Sequence, residues 1–226
     1  IDPWQQIRGI QDAITYAQSR ADVDAGRIGL WGTSYGGGHA YVAAAIDRRI
    51  KAVCGQVPTI SGRHGIESLV GAEQWNAIRG MIAADRLARA QGGEPARMPI
   101  VAEAPGQPAM SGSPDSIEFF RLAADTKWVN DITLQTLDYF YGYEPGDYVR
   151  RIAPTPLLMI VAPNDTFSNG ALASEAYETA LHPKKLVLVP GNHFDPYIVE
   201  EVFQTCSAAA RDHFVEHLMV KADTSS

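Results

Sequence analysis

The chain has 226 residues, of which 46% are hydrophobic and 20% charged, with 20 glycines and 14 prolines. At roughly 150 residues per domain, this favours one globular domain, or one carrying a sizeable insertion, and excludes disorder, collagen and a disulfide miniprotein. The net charge of −7 argues against bulk binding to nucleic acid or to an anionic membrane, because both need a basic surface.

In chain order, Asp2 and Pro3 open a helix in which Ile7, Ile10, Ile14 and Ala17 recur at helical spacing. A turn at Asp24-Ala25-Gly26 leads into the apolar run Arg27–Gly32, which predicts a buried strand. Three glycines, Gly36 to Gly38, precede a small-residue helix at Ala40–Asp47. Further strands are predicted at Lys51–Val57, Pro156–Ala162 and Lys184–Val189. Continuous apolar strands separated by helices predict an α/β fold, a doubly wound, mostly parallel sheet covered on both faces. Between the second and third strands the rhythm changes to a helical pattern (Glu67–Ala90), a Gly/Pro-rich stretch (Gly92–Pro114) and a helical region rich in aromatics. Residues 60–150 therefore read as an inserted helical cap, and 1–59 with 151–226 as the core. A closing helix is expected over Tyr197–Val220, with Ala222–Ser226 as a frayed end.

No run of 18 apolar residues predicts a transmembrane helix, and Ile1-Asp2-Pro3-Trp4 is not a secretory signal, so a cytoplasmic location is expected. The lack of an initiator Met suggests a processed or truncated piece of something longer. Cys54 and Cys206 lie far apart with no CxxC spacing, and are expected as free buried thiols.

The strongest chemical signal is Gly32-Thr33-Ser34-Tyr35-Gly36, a GxSxG between a predicted strand and a predicted helix. A nucleophile elbow needs this context: the turn is tight, and side chains at both flanking positions would collide with the strand and helix. Ser34 would project its hydroxyl at the carboxyl end of the sheet, with the Tyr35 N–H facing a developing oxyanion. A serine hydroxyl needs a base, and the base an orienting acid. Asp165, just past the third strand, and His193, just past the fourth, supply them in the chain order this fold class uses. His39 reads as packing behind Ser34 against the sheet, His64 as lying at the cap entrance and His182 as marking a helix end. His213 and His217, one turn apart, read as a solvated or half-buried face rather than a metal pair. Asp195 is too close to His193 and reads as ordering its loop. In the cap, Trp128 and Tyr139 are the candidates for lining an acyl pocket. Trp75, Phe140, Tyr141 and Tyr143 fit that role or the cap's own core equally well.

The segments Ile28–Gly38, Ala43–Ile50 and Gln56–Ile60 resemble α/β-hydrolases of the dienelactone-hydrolase-like type, as do Pro154–Ile160, Asp165, His182–Lys185 and Gly191–Phe194. The likeness is to the subgroup that includes fungal polyketide-processing hydrolases and acyltransferases. It implies a Ser34/Asp165/His193 triad and acyl transfer to water or another acceptor, on a small-molecule acyl substrate, with no metal and no organic cofactor. Four strands are visible, the first carrying the nucleophile. Full members of the fold place further strands before this point, and a loop among them gives the second oxyanion donor. An upstream segment or a second chain completing the sheet is therefore expected, and a homo-oligomer stays open. The expectation is a serine hydrolase of esters, lactones or related acyl bonds. An acyltransferase or aminopeptidase using the same acyl-enzyme, and a non-catalytic hydrolase-fold subunit, are the other readings.

Overall fold

The computed structural model describes residues 1–103, 107, 109–123 and 125–219, with the side chains of 68–72 left aside. The expected frayed end at 222–226 lies outside the described residues. The chain divides into two compact units, one of Trp4–Ser61 with Glu144–Ser226, the other of Ile1–Pro3 with Gly62–Tyr143.

In the first unit, helix α1 (Pro3–Ser19) precedes β1 (Ile28–Thr33), α2 (Tyr35–Ile46) and β2 (Ile50–Gln56). After the 62–143 segment, the unit resumes with α6 (Gly146–Val149), β5 (Leu157–Val161), α7 (Gly170–Thr179), β6 (Lys184–Leu188), α8 (Asp195–Ile198) and α9 (Glu200–Leu218). The strands form one parallel sheet in the order β1-β2-β5-β6. This is the parallel sheet with flanking helices expected of an α/β fold.

Burial follows position in the sheet. All of β5, between two neighbours, is buried, whereas β1 at one edge leaves Trp31 47% exposed and β6 at the other leaves Leu188 57% exposed. Strand alternation divides the interior into two cores. Leu157, Met159 and Val161 pack with Tyr41, Ala43 and Ala44 of α2 and Ala173 of α7. Leu158 and Ile160 point the other way, to Val202 and Cys206 of α9. Every residue of α2 from Gly37 to Ala45 is buried, and its many small side chains let it lie close on the sheet. Both cysteines are free and buried.

The expected closing helix is divided. Val199, with ψ 109°, leaves helical geometry and separates α8 from α9. The other unit holds α3 (Gly62–Ala90), α4 (Pro114–Arg121) and α5 (Gln135–Tyr141), with an antiparallel pair of β3 (Arg97–Met98) and β4 (Ile132–Thr133). Its core gathers Ile66, Trp75, Ile82, Leu134 and Leu137, with Phe140 and Tyr141 packed against them. Among the described residues, no helix is long and apolar enough to cross a membrane.

Candidate active site

β1 runs straight into α2, and the one residue between them is Ser34, at φ 53° and ψ −121°. This conformation is strained for a residue with a Cβ, and backbone bonds hold it in place. The Ser34 N–H donates to Gln56 O at 2.9 Å, and its carbonyl accepts from Gly37, Gly38 and Thr59 N–H at 3.0, 3.2 and 2.9 Å. A Cβ on Gly32 would lie 2.1 Å from the Gly36 carbonyl oxygen, and one on Gly38 2.7 Å from that of Thr59. At Gly36, however, a Cβ meets nothing within 4 Å beyond its own helix. The close approach expected of both flanking glycines thus belongs to Gly32 and Gly38, because it is the Gly36 backbone that crowds Gly32.

Serine at the start of a helix usually caps it with its hydroxyl. Ser34 makes no such side-chain bond; its Oγ lies 2.9 Å from His193 Nε2 instead. His193 Nδ1 is 2.7 Å from Asp165 Oδ2, and the other carboxylate oxygen accepts from the N–H groups of Phe167 and Ser168, both at 2.8 Å. His193 and Asp165 are 3% and 5% exposed, so this geometry is shielded from water. The carboxylate can only accept, which makes Nδ1 the donor and leaves Nε2 to accept from the Ser34 hydroxyl. Tyr35 places its N–H in the first turn of α2, at the positive end of the helix.

The His193 loop turns at Gly191 (φ +90°). Asp195 orders it by accepting from the Asn192 N–H at 2.7 Å. Phe167 and Phe194 flank the imidazole, with ring centroids 4.6 and 5.0 Å from it. Neither phenylalanine stands out in the sequence, since a Phe beside a loop is indistinguishable there from a core residue.

The remaining candidates have partners of their own. His39 Nε2 is 2.9 Å from Gln6 Oε1 of α1, and its ring is 4.3 Å from that of Tyr35; burial pushes it down to about 4. His213 is buried rather than solvated or half-buried, while His217 beside it is exposed. The face they share turns one residue inward, under β2 and β5. Among the described residues, no group of three or more His, Cys, Asp or Glu side chains could hold a metal ion. Trp128 and Tyr139 lie in the 62–143 unit. There Trp128 stacks on Phe120 at 5.1 Å and Tyr139 accepts a hydrogen bond from Gln135. Trp75 stacks on Tyr141 at 4.5 Å within the core of that unit.

Known proteins resemble this chain along most of its length. The family model for X-Pro dipeptidyl-peptidase (S15 family) matches residues 1–195. Polyketide transferase af380 of Aspergillus fumigatus is 28% identical, over 94% of this chain and 73% of its own length. The quorum-quenching protein AidA of Acinetobacter baumannii is 27% identical, over 88% of this chain and 65% of its own length. The chain thus spans about two thirds to three quarters of the length of these relatives. Among solved structures, the α/β hydrolase GrgF from Penicillium sp. sh18 matches with a TM-score of 0.82 at 25% identity, covering 97% of this chain and 74% of that one. DcsB, solved with its substrate analogue, gives 0.83 at 28% identity with the same coverage.

Proposed function

The chain belongs to the X-Pro dipeptidyl-peptidase (S15) family, within the α/β-hydrolase superfamily, and on that premise we propose that it is a serine hydrolase cleaving a carboxylic ester, lactone or related acyl bond. The observation that carries this reading is the hydrogen-bonded line from Ser34 through His193 to Asp165 on a strained strand-to-helix turn.

In this reading His193 Nε2 takes the Ser34 proton as Oγ attacks the acyl carbon. Asp165 holds the tautomer in which Nε2 is free to accept, and stabilises the imidazolium that forms. The oxyanion develops beside the Tyr35 N–H, where the α2 dipole favours negative charge. Collapse of the tetrahedral intermediate expels the leaving group, which receives the proton from His193 Nε2, and leaves an acyl-enzyme on Ser34. A second nucleophile, deprotonated by the same imidazole, attacks the acyl carbon and releases the product, and the proton returns to Ser34 Oγ.

A second reading differs only in that nucleophile. An alcohol or amine in place of water makes the protein an acyltransferase, and the similarity to a polyketide transferase favours keeping it. Labelling with a fluorophosphonate followed by intact-mass spectrometry tests the shared step. One adduct is expected on the wild-type protein and none on Ser34→Ala, which should also lose at least about 10⁴-fold in ester turnover. A wild-type protein that takes no adduct would refute both readings. Turnover of a 4-nitrophenyl ester with added alcohol then separates them: free acid marks the hydrolase, and a new ester in the product spectrum marks the transferase.

A further inference from the structure

Tyr197, on α8, stands four residues after His193, and its hydroxyl is 2.6 Å from Thr33 Oγ1. Thr33 is the last residue of β1 and the immediate neighbour of Ser34. Two short segments, 33–34 and 193–197, are therefore joined twice. One link is His193 Nε2 to Ser34 Oγ at 2.9 Å; the other is Tyr197 to Thr33. The mechanism above uses only the first.

The second link is built, not incidental. Gln56 at the end of β2 is buried, and its Nε2 donates to Thr33 Oγ1 at 3.4 Å. Burying the Gln56 amide is costly unless it is satisfied, and it meets the two part-buried hydroxyls of Thr33 and Tyr197 one residue from the nucleophile. The Tyr197 ring also borders the imidazole, with centroids 6.2 Å apart. Burial pushes the Tyr197 hydroxyl up to about 12, against the opposing effect of its bond to the Thr33 side chain. It therefore stays a neutral O–H at any working pH.

We propose that Tyr197 is a positioning residue of this site: its hydroxyl, held on Thr33, fixes the separation between the Ser34 turn and the His193 loop. Ser34 is strained and His193 sits on a loop, so one hydrogen bond between them leaves a hinge, and a second, four residues along, removes it. Because the clamp acts on the approach of Oγ to the imidazole, it governs the rate of attack and not the affinity for what is attacked. This inference rests on the reading of Ser34 as nucleophile.

The test is the kinetics of fluorophosphonate labelling, resolved into kinact and KI, for the wild type, Tyr197→Phe, Thr33→Val, their double variant and Thr33→Ser. Each single loss of a hydroxyl should lower kinact by about 10- to 100-fold while KI stays within about twofold, the scale of a small misplacement of reacting groups. The double variant should fall no further than the worse single one, because both break the same link. Thr33→Ser, which keeps the hydroxyl, should restore kinact to near the wild-type value. The clamp is overturned if Tyr197→Phe labels at the wild-type rate, if the two losses multiply, or if KI rises at constant kinact. Should Tyr197→Phe prove insoluble, Thr33→Val against Thr33→Ser decides in the same way. A wild-type protein unlabelled at Ser34 would overturn the clamp and the hydrolase reading together. A labelled wild type with an equally fast Tyr197→Phe would overturn the clamp alone.

Discussion

Ser34 sits where only glycine is at ease, at φ 53° and ψ −121°, and a strain of about 1–3 kcal/mol is the usual cost of such a position. That cost separates two substitutions that both remove the hydroxyl. Ser34→Ala keeps the Cβ and the strain and loses the bond to His193, whereas Ser34→Gly loses the bond and the strain together. Elsewhere glycine is the less stable of the two by about 0.5–1 kcal/mol because of its freer unfolded chain. Here the order should invert, with Ser34→Gly more stable than Ser34→Ala by about 1 kcal/mol in urea denaturation, and both inactive. Ala the more stable by the ordinary 0.5–1 kcal/mol or so would show that the turn holds no strain. That Ser34, Asp165 and His193 are neighbours was legible in the sequence, since each follows a strand and the ends of parallel strands converge. Tyr197 was not legible. A tyrosine one helical turn past a histidine reads as packing, and only the fold brings Thr33, 164 residues earlier, to its hydroxyl.

At the scale of one element, α2 shows how a run of similar residues can hide opposite constraints. Gly36, Gly37 and Gly38 are indistinguishable as letters, yet a Cβ on Gly36 finds open space, while one on Gly38 lies 2.7 Å from the Thr59 carbonyl and 3.0 Å from Pro145. Alanine in a helix interior is favoured over glycine by about 1 kcal/mol. At Gly36 nothing opposes that gain, so Gly36→Ala should stabilise by about 0.5–1 kcal/mol. At Gly38 the overlap is with backbone, which cannot rotate away, and overpacking of this kind costs about 1–3 kcal/mol. Gly38→Ala should therefore destabilise, and urea midpoints of the two variants should move in opposite directions. A stabilised Gly38→Ala would mean that α2 can lift from Thr59 without penalty. The strands were legible as apolar runs, but only β2 and β5, between two neighbours, are buried on both faces; β1, expected to be buried, lies at a sheet edge among the described residues. The break at Val199 was not legible, because Tyr197–Leu218 keeps its helical spacing across it.

Across the whole molecule, parts whose apolar pattern has a single explanation were legible, and the roles of the aromatics in the 62–143 unit were not. Trp75, Phe140 and Tyr141 recur at spacings that suit a pocket wall as well as a core, and packing assigns them to the core of that unit. Buried histidines show the same ambiguity, and they have a consequence for stability. His39 and His213 are 4% and 2% exposed. Burial drives both down to about 4, with the neighbouring His217 adding to the effect on His213. Unfolded, each would take a proton near pH 6.5. Between pH 6.5 and 4 the unfolded chain thus binds more protons than the folded one, so stability rises with pH across that window. It is fully present above about 6.5 and lost as the pH falls toward 4, by about 3 kcal/mol for each histidine. Asp47 and Asp85 act lower. The Arg49 guanidinium holds Asp47 below its ordinary value of 3.8, and the Ala96 N–H with Arg89 does so for Asp85, so what they contribute is lost only below about 3.8. Of these four groups, only the histidines lose their contribution between pH 6.5 and about 4.5. Urea midpoints measured at pH 7, 5.5 and 4.5 should fall steadily for the wild type. His213→Leu should fall about half as steeply, whatever its stability at pH 7, because one of the two titrating rings is gone. An unchanged slope in His213→Leu would mean that this ring stays neutral, or charged, in both states.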